Sequence, residues 1–417
     1  MARVIVRLAV AALLIFAVER TVQAAPPDSV STRCEESEVR LDATHSAARL
    51  GNCGEGKDDD LLWHLDRIDQ VAGSLDGRFD RRNRGAGSVV YVMDTGVMAS
   101  HHEFIGPRGS RVIGGYDATG SLNIGNSACT SANKSTAPCY SDFDELTAAS
   151  HGTSVASLVA GRNVGVAPDA LIVSIRVMNE RGLATTRTYL DGLDAIIRNA
   201  WSPSTPYFHT AVVNISGWVL ERLSTSSADA TPVVPFSAIE QKMVDMVAGV
   251  DADGNRNPLG KRFLFVVAGN NVDGGCGRSG VVDRFPAILG REISGIVTVG
   301  GMSRDNSWWS GACRGGLEVL APAQQVFSAT ITAEDQYRGR KPNMRSGTSF
   351  AAPIIAGIAA RILSERPELS PQELEWWITS TPSRINNPDE RFADGKVAYT
   401  RVEPVVRTPA AQARLAP

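Results

Sequence analysis

The sequence predicts an α/β fold with a mostly parallel central sheet and helices on both faces. Two observations carry that expectation. Short β-branched and aromatic runs recur at Val89–Met93, Leu171–Val177, Ala211–Ile215, Phe263–Ala268, Ile296–Gly300 and Leu317–Leu320. Between them lie segments with helical spacing, one from His151, one around Thr186–Ala200 and one near Phe236–Ala248. Unbroken apolar runs belong to strands covered on both sides, and their alternation with helices is the pattern of a parallel sheet.

Taken in order, the first strand ends in Asp94-Thr95-Gly96, a turn out of the sheet. A carboxylate at the carboxyl end of such a strand sits where open α/β sheets place their ligands. Taken alone, Asp94 reads equally well as an Asx-turn residue. His151-Gly152-Thr153 opens a helix with a small, apolar face. Imidazole suits proton transfer near neutrality, although a lone histidine before a helix is usually a cap or a surface residue. The strand Phe263–Ala268 leads into Gly269-Asn270, and a strand-end asparagine can donate its amide N–H to a developing oxyanion. Ser349, in Gly347-Thr348-Ser349-Phe350-Ala351-Ala352-Pro353, falls in the first turn of a buried helix running to about Ser364. Free N–H groups and the positive end of the helix dipole collect there, a place where a hydroxyl can attack a carbonyl. A further helix is opened by Ser370-Pro371-Gln372-Glu373, a capping box with proline inside it.

The chain divides into four parts. Arg3 and Arg7 precede eleven apolar residues, Leu8–Val18, and Val22-Gln23-Ala24 offers a cleavage site. Residues 1–24 are therefore expected to be a secretory signal peptide. Residues 25–60 read as a short leader, 61–400 as the main domain, and 401–417 as a loose tail. The net charge of −3, without a basic run, gives no sign of a nucleic-acid binder, and no later stretch could span a membrane. Six cysteines fit an oxidising destination and allow fifteen pairings. Proximity favours Cys34–Cys53 and Cys129–Cys139, which leaves Cys276–Cys313. No CxxC pair or Cys–His cluster argues for a metal instead.

Asp94, His151, Asn270 and Ser349, in that order, resemble the subtilisin-like serine proteases. Leu65-Asp66-Arg67-Ile68-Asp69-Gln70 with Trp63 before it, His102-Glu103-Phe104, Gly165-Val166-Ala167-Pro168 and Ala321-Pro322 add matches to the proteinase K-like branch. The resemblance covers roughly Leu61 to Tyr399. It implies a three-layer subtilisin-like architecture and a secreted, monomeric endopeptidase acting on proteins or peptides. Asp94, His151 and Ser349 would form its triad and Asn270 would serve the oxyanion. Ser216, Gly217 and Trp218 would pair with substrate. No cofactor is required, and the family's calcium-binding aspartate falls at Arg304, which puts that site in doubt. Asp251-Ala252-Asp253-Gly254-Asn255 reads as a turn, because the twelfth position of an EF-hand loop would be Arg262.

Four departures stand out. Trp218 replaces a glycine beside the primary pocket, and Phe350 follows the nucleophile where methionine is common. Ser154 stands for a second histidine. Asp94 and His151 are 57 positions apart, an unusually long separation whose excess, with Ser224–Pro235, reads as inserted loop. A catalytically impaired homologue that binds peptides is the alternative. An α/β-hydrolase esterase is excluded because no G-x-S-x-G is present.

Overall fold

A computed structural model describes residues 62–380, together with strand pieces at Ala47–Arg49, Ser383–Arg384 and Lys396–Val397. Not described within 62–380 are 69–74, 76–77, 81, 120–134, 136–140, 143–150, 180–181, 220–233, 251–252, 257–259, 278–279, 281 and 332–343. The signal-peptide, leader and tail expectations therefore lie wholly or largely outside the described residues, as do Cys34, Cys53, Cys129 and Cys139.

Seven strands build the core of one sheet: β1 (Val89–Asp94), β2 (Val112–Asp117), β3 (Leu171–Arg176), β4 (Thr210–Ile215), β5 (Arg262–Ala268), β6 (Ile296–Met302) and β7 (Val319–Pro322). All seven are parallel, in the spatial order β2-β3-β1-β4-β5-β6-β7. Lys396–Val397 adds to β7, and Ser383–Arg384 closes that edge antiparallel. The chain leaves β1 toward one edge and later crosses to β4 on its other side. The carboxyl ends of β1 and β4 thus form a switch point, the crevice where such sheets bind ligands.

Side-chain alternation sorts each strand between two cores. In β1, Val90 and Val92 join one core, and Val89, Tyr91 and Met93 join the other. The first core is covered by α1 (His151–Ala160), α4 (Thr348–Glu365) and α5 (Pro371–Ser380), and the second by α2 (Thr186–Ala200) and α3 (Phe236–Ala248). Two buried faces explain why these strands read as unbroken apolar runs. The α5 capping box is present: the Glu373 carboxylate accepts from the Ser370 N–H at 2.9 Å, and the Ser370 hydroxyl accepts from the Glu373 N–H.

Two differences from expectation have local causes. β2 lies in the long stretch between Asp94 and His151, at the start of the part read as an insertion, where no strand was expected; it carries Gly114 and Gly115 with a register shift near Val112. Glycine weakens the strand signal and favours such irregularities. The last core strand begins at Val319, two residues later than expected. The Asp253–Asn255 segment is a turn, closed by a bridge between Val250 and Arg256.

Candidate active site

Asp94 is the last residue of β1 and is fully buried. Its Oδ1 accepts from the Thr95 N–H at 2.7 Å and meets His151 Nδ1 at 2.7 Å. His151 opens α1 and keeps about a fifth of its side chain exposed. The residue after it must be glycine, since a Cβ on Gly152 would lie 2.1 Å from the Gly96 carbonyl oxygen. That close approach brings α1 onto the Asp94 turn, where the Thr95 hydroxyl oxygen accepts from the Gly152 N–H. Burial alone would lower the His151 pKa, but the Asp94 charge and hydrogen bond outweigh it, and the net direction is upward.

Ser349 is the second residue of α4, within the turn whose N–H groups lack intrahelical partners. Pro353 has no N–H to offer the Ser349 carbonyl. The turn is instead anchored by Asn271, whose Oδ1 accepts from the Thr348 N–H and hydroxyl at 2.9 and 3.0 Å. The Ser349 hydroxyl donates to the Ser216 carbonyl at 2.9 Å. Phe350 packs its ring 5.5 Å from the His151 ring, centroid to centroid, and the Arg345 guanidinium lies 6.0 Å from the Phe350 ring.

Asn270 follows β5 in the left-handed region, φ 68°, which asparagine tolerates better than most residues. Ser216, Gly217 and Trp218 follow β4, with Gly217 against Met178 and the Ser216 hydroxyl accepting from the Asn214 amide at 2.9 Å. A cleft of about 340 Å³ is lined by His151, Ser349, Asn270, Ser216, Gly217 and Trp218, among others. Six of the seven residues singled out from sequence share this cleft. The seventh, Asp94, lies buried behind His151.

Asp142 escaped the sequence reading. It is buried and accepts from the Thr153 N–H and hydroxyl, both at 2.9 Å, and from the Thr95 hydroxyl at 2.8 Å. Burial pushes its carboxyl up to about 6 against the pull of those bonds. Its only sequence signal was a position nine residues before His151. Asn271 and Arg345 were missed too, since neither belongs to a pattern of its own. Ser154 donates to the Ala329 carbonyl at 2.6 Å, a structural tie.

Cys276 and Cys313 form a disulfide, Cα to Cα 5.7 Å, as expected. Among the described residues, no group of three or more His, Cys, Asp or Glu gathers as metal ligands. Arg304 lies exposed in the turn after β6.

The family model for the subtilase family matches residues 85–396. The chain belongs to the subtilase family. It is 28% identical over 341 residues to alkaline serine exoprotease A of Vibrio alginolyticus, covering 81% of this chain and 50% of that protein. It is 30% identical over 344 residues to the extracellular serine proteinase of Thermus sp. strain Rt41A, covering 81% and 66%. Proteinase R of Parengyodontium album is 27% identical over 304 residues, 72% of this chain and 60% of its own length. This subtilase therefore spans between half and two-thirds of these relatives. The crystal structure of a cold-adapted subtilisin-like serine proteinase superposes with a TM-score of 0.56 at 27% identity, covering 82% of this chain and 98% of that one. Among the described residues, no helix is long and apolar enough to cross a membrane.

Proposed function

We propose that this subtilase is a secreted serine endopeptidase that hydrolyses peptide bonds through an acyl-enzyme. The observation that carries the reading is the 2.7 Å contact between His151 Nδ1 and buried Asp94 at the rim of the cleft holding Ser349. Asp94 fixes the imidazole with Nε2 free and stabilises its cation. A turn of the Ser349 side chain, from the Ser216 carbonyl toward Nε2, hands the hydroxyl proton to His151 as the oxygen attacks the scissile carbonyl. The Ser349 N–H and the Asn270 amide face the developing oxyanion. Protonated His151 then gives its proton to the leaving amine. Water, deprotonated by His151, releases the acid and restores Ser349. Export is supported by the Cys276–Cys313 disulfide and by the extracellular relative.

A second reading, a peptide-binding homologue with impaired chemistry, is favoured by one observation: the Ser349 hydroxyl is engaged by Ser216 rather than by the imidazole. A fluorophosphonate probe separates the two. Covalent capture of the purified protein, abolished in Ser349→Ala, supports the enzyme. A folded wild type that stays unlabelled supports the binder.

The Trp218 indole stands on the cleft wall where family members carry glycine. Our reading is that it narrows the primary pocket, giving a preference for small side chains before the scissile bond.

A further inference from the structure

Trp218 is half-buried and follows Gly217. One contact on its indole comes from a distant part of the chain. The Arg284 guanidinium carbon lies 5.0 Å from the Trp218 ring centroid, within cation–π range. Its Nη2 donates to the Gly274 carbonyl at 2.9 Å. Trp218 and Gly274–Gly275 line the same cleft from two segments distant in sequence, so one side chain joins the two walls. The room for that bridge is specific. Gly275 has φ +87°, and a Cβ there would sit 3.2 Å from Arg284 Nη2. The root of the arginine is fixed as well. The next residue, Phe285, stacks on Phe236 at 4.7 Å, and its carbonyl accepts from the Val219 N–H at 3.2 Å. Asp283 Oδ1 lies 3.8 Å from Arg284 Nε and offsets part of its charge. The cation therefore acts here as a brace more than as a charge presented to substrate.

We propose that Arg284 is the positioning residue that sets side-chain selectivity. It pins the Trp218 indole against the Gly274–Gly275 wall and so holds the pocket shut to aromatic and long aliphatic side chains. The inference rests on the proposed endopeptidase reading and on Trp218 as the pocket wall. A planar guanidinium is needed, because stacking on the indole and donating to Gly274 at once requires a flat, multi-donor group.

The test uses the full chain and peptide substrates that differ only at the residue before the scissile bond, Ala, Leu or Phe. The readout is the ratio of kcat/KM for Phe to that for Ala. Arg284→Met should raise the ratio about tenfold, the factor that corresponds to about 1.4 kcal/mol of discrimination. Arg284→Lys, which keeps the charge but not the fork, should raise it by less. In a Trp218→Gly background, Arg284→Met should change nothing further, since the braced group is gone. If Trp218→Gly opens the pocket but Arg284→Met and Arg284→Lys leave the ratio at the wild-type value, the brace is wrong and the pocket reading stands. A wild type that already prefers Phe, unchanged by Trp218→Gly, sinks the pocket reading itself. Equal loss on all three substrates in both arginine variants would make Arg284 a support of the fold and overturn the proposal.

Discussion

Three charges surround one imidazole, and they do not pull the same way. Asp94 raises the His151 pKa through charge and hydrogen bond, Arg345 lowers it across the Phe350 ring, and Asp142 raises it from behind Thr153. In the proposed mechanism His151 is the general base, which works only when neutral, so kcat/KM should climb as pH rises through its pKa. That limb should lie above the usual histidine value of about 6.5. Arg345→Met removes a positive charge and should move the limb to higher pH. Asp142→Asn removes a negative one and should move it to lower pH. Each displacement is expected to be roughly half a pH unit, what a screened interaction below 1 kcal/mol produces. Shifts in the same direction, or none in pH–rate profiles, would remove these residues from the electrostatics of the base. Asn270 belongs to the same scale but to another step. Asn270→Ala should lower kcat by roughly 10²–10³ and leave KM nearly unchanged, because in the proposed mechanism its amide serves charge that exists only in the transition state. A large rise in KM at constant kcat would assign it to substrate binding instead.

The elements were legible in the sequence where their burial was simple. The α2 and α3 ranges, Thr186–Ala200 and Phe236–Ala248, are those expected, because each helix buries one stripe against the sheet. β2 was hidden because Gly114 and Gly115 dilute an edge strand with one partner. The site divides in the same way. Asp94 ends a strand, His151 and Ser349 lie in the first turns of helices, and Asn270 comes two residues after a strand, positions that local pattern marks. Asp142, Asn271, Arg345 and Arg284 act through contacts that sequence spacing does not record. The Cys276–Cys313 bridge spans the same gap. It ties the loop after β5, which forms the Asp273–Gly275 wall, to the segment between β6 and β7. Closing a 37-residue separation stabilises a fold by about 2–4 kcal/mol in the chain-entropy picture. Paired Cys276→Ser and Cys313→Ser should therefore lower the melting temperature and also reduce kcat/KM as the wall loosens. An unchanged melt would mean that the bridge adds little to what packing already fixes.

At the scale of the molecule, the two cores meet the sheet from opposite sides, and the functional residues collect at its carboxyl end. The lower rim carries a cost of its own. Glu318 begins the approach to β7 and accepts from the Thr298 N–H of β6 at 2.5 Å. Burial pushes its carboxyl up to about 7, the Thr298 bond lowers it, the Glu375 charge adds to the rise, and Arg291 opposes it. A folded pKa raised above the unfolded value of about 4.5 means that the folded state binds more protons between about pH 4.5 and 7. The stability this group contributes is full below about 4.5 and is lost as pH rises through about 7. Glu318→Gln keeps an oxygen for the Thr298 N–H and removes the buried charge. The variant should melt a few degrees higher than wild type at pH 8, where about 1 kcal/mol moves the midpoint by roughly 2–4 °C in a domain somewhat smaller than this one. At pH 4.5 the two should nearly coincide, since the wild-type carboxyl is then neutral in the fold. Thermal melts across that range, both proteins carrying Ser349→Ala to prevent self-digestion, make the comparison. Parallel curves with a constant offset would show that Glu318 does not titrate in this window and that its environment is wetter than its burial implies.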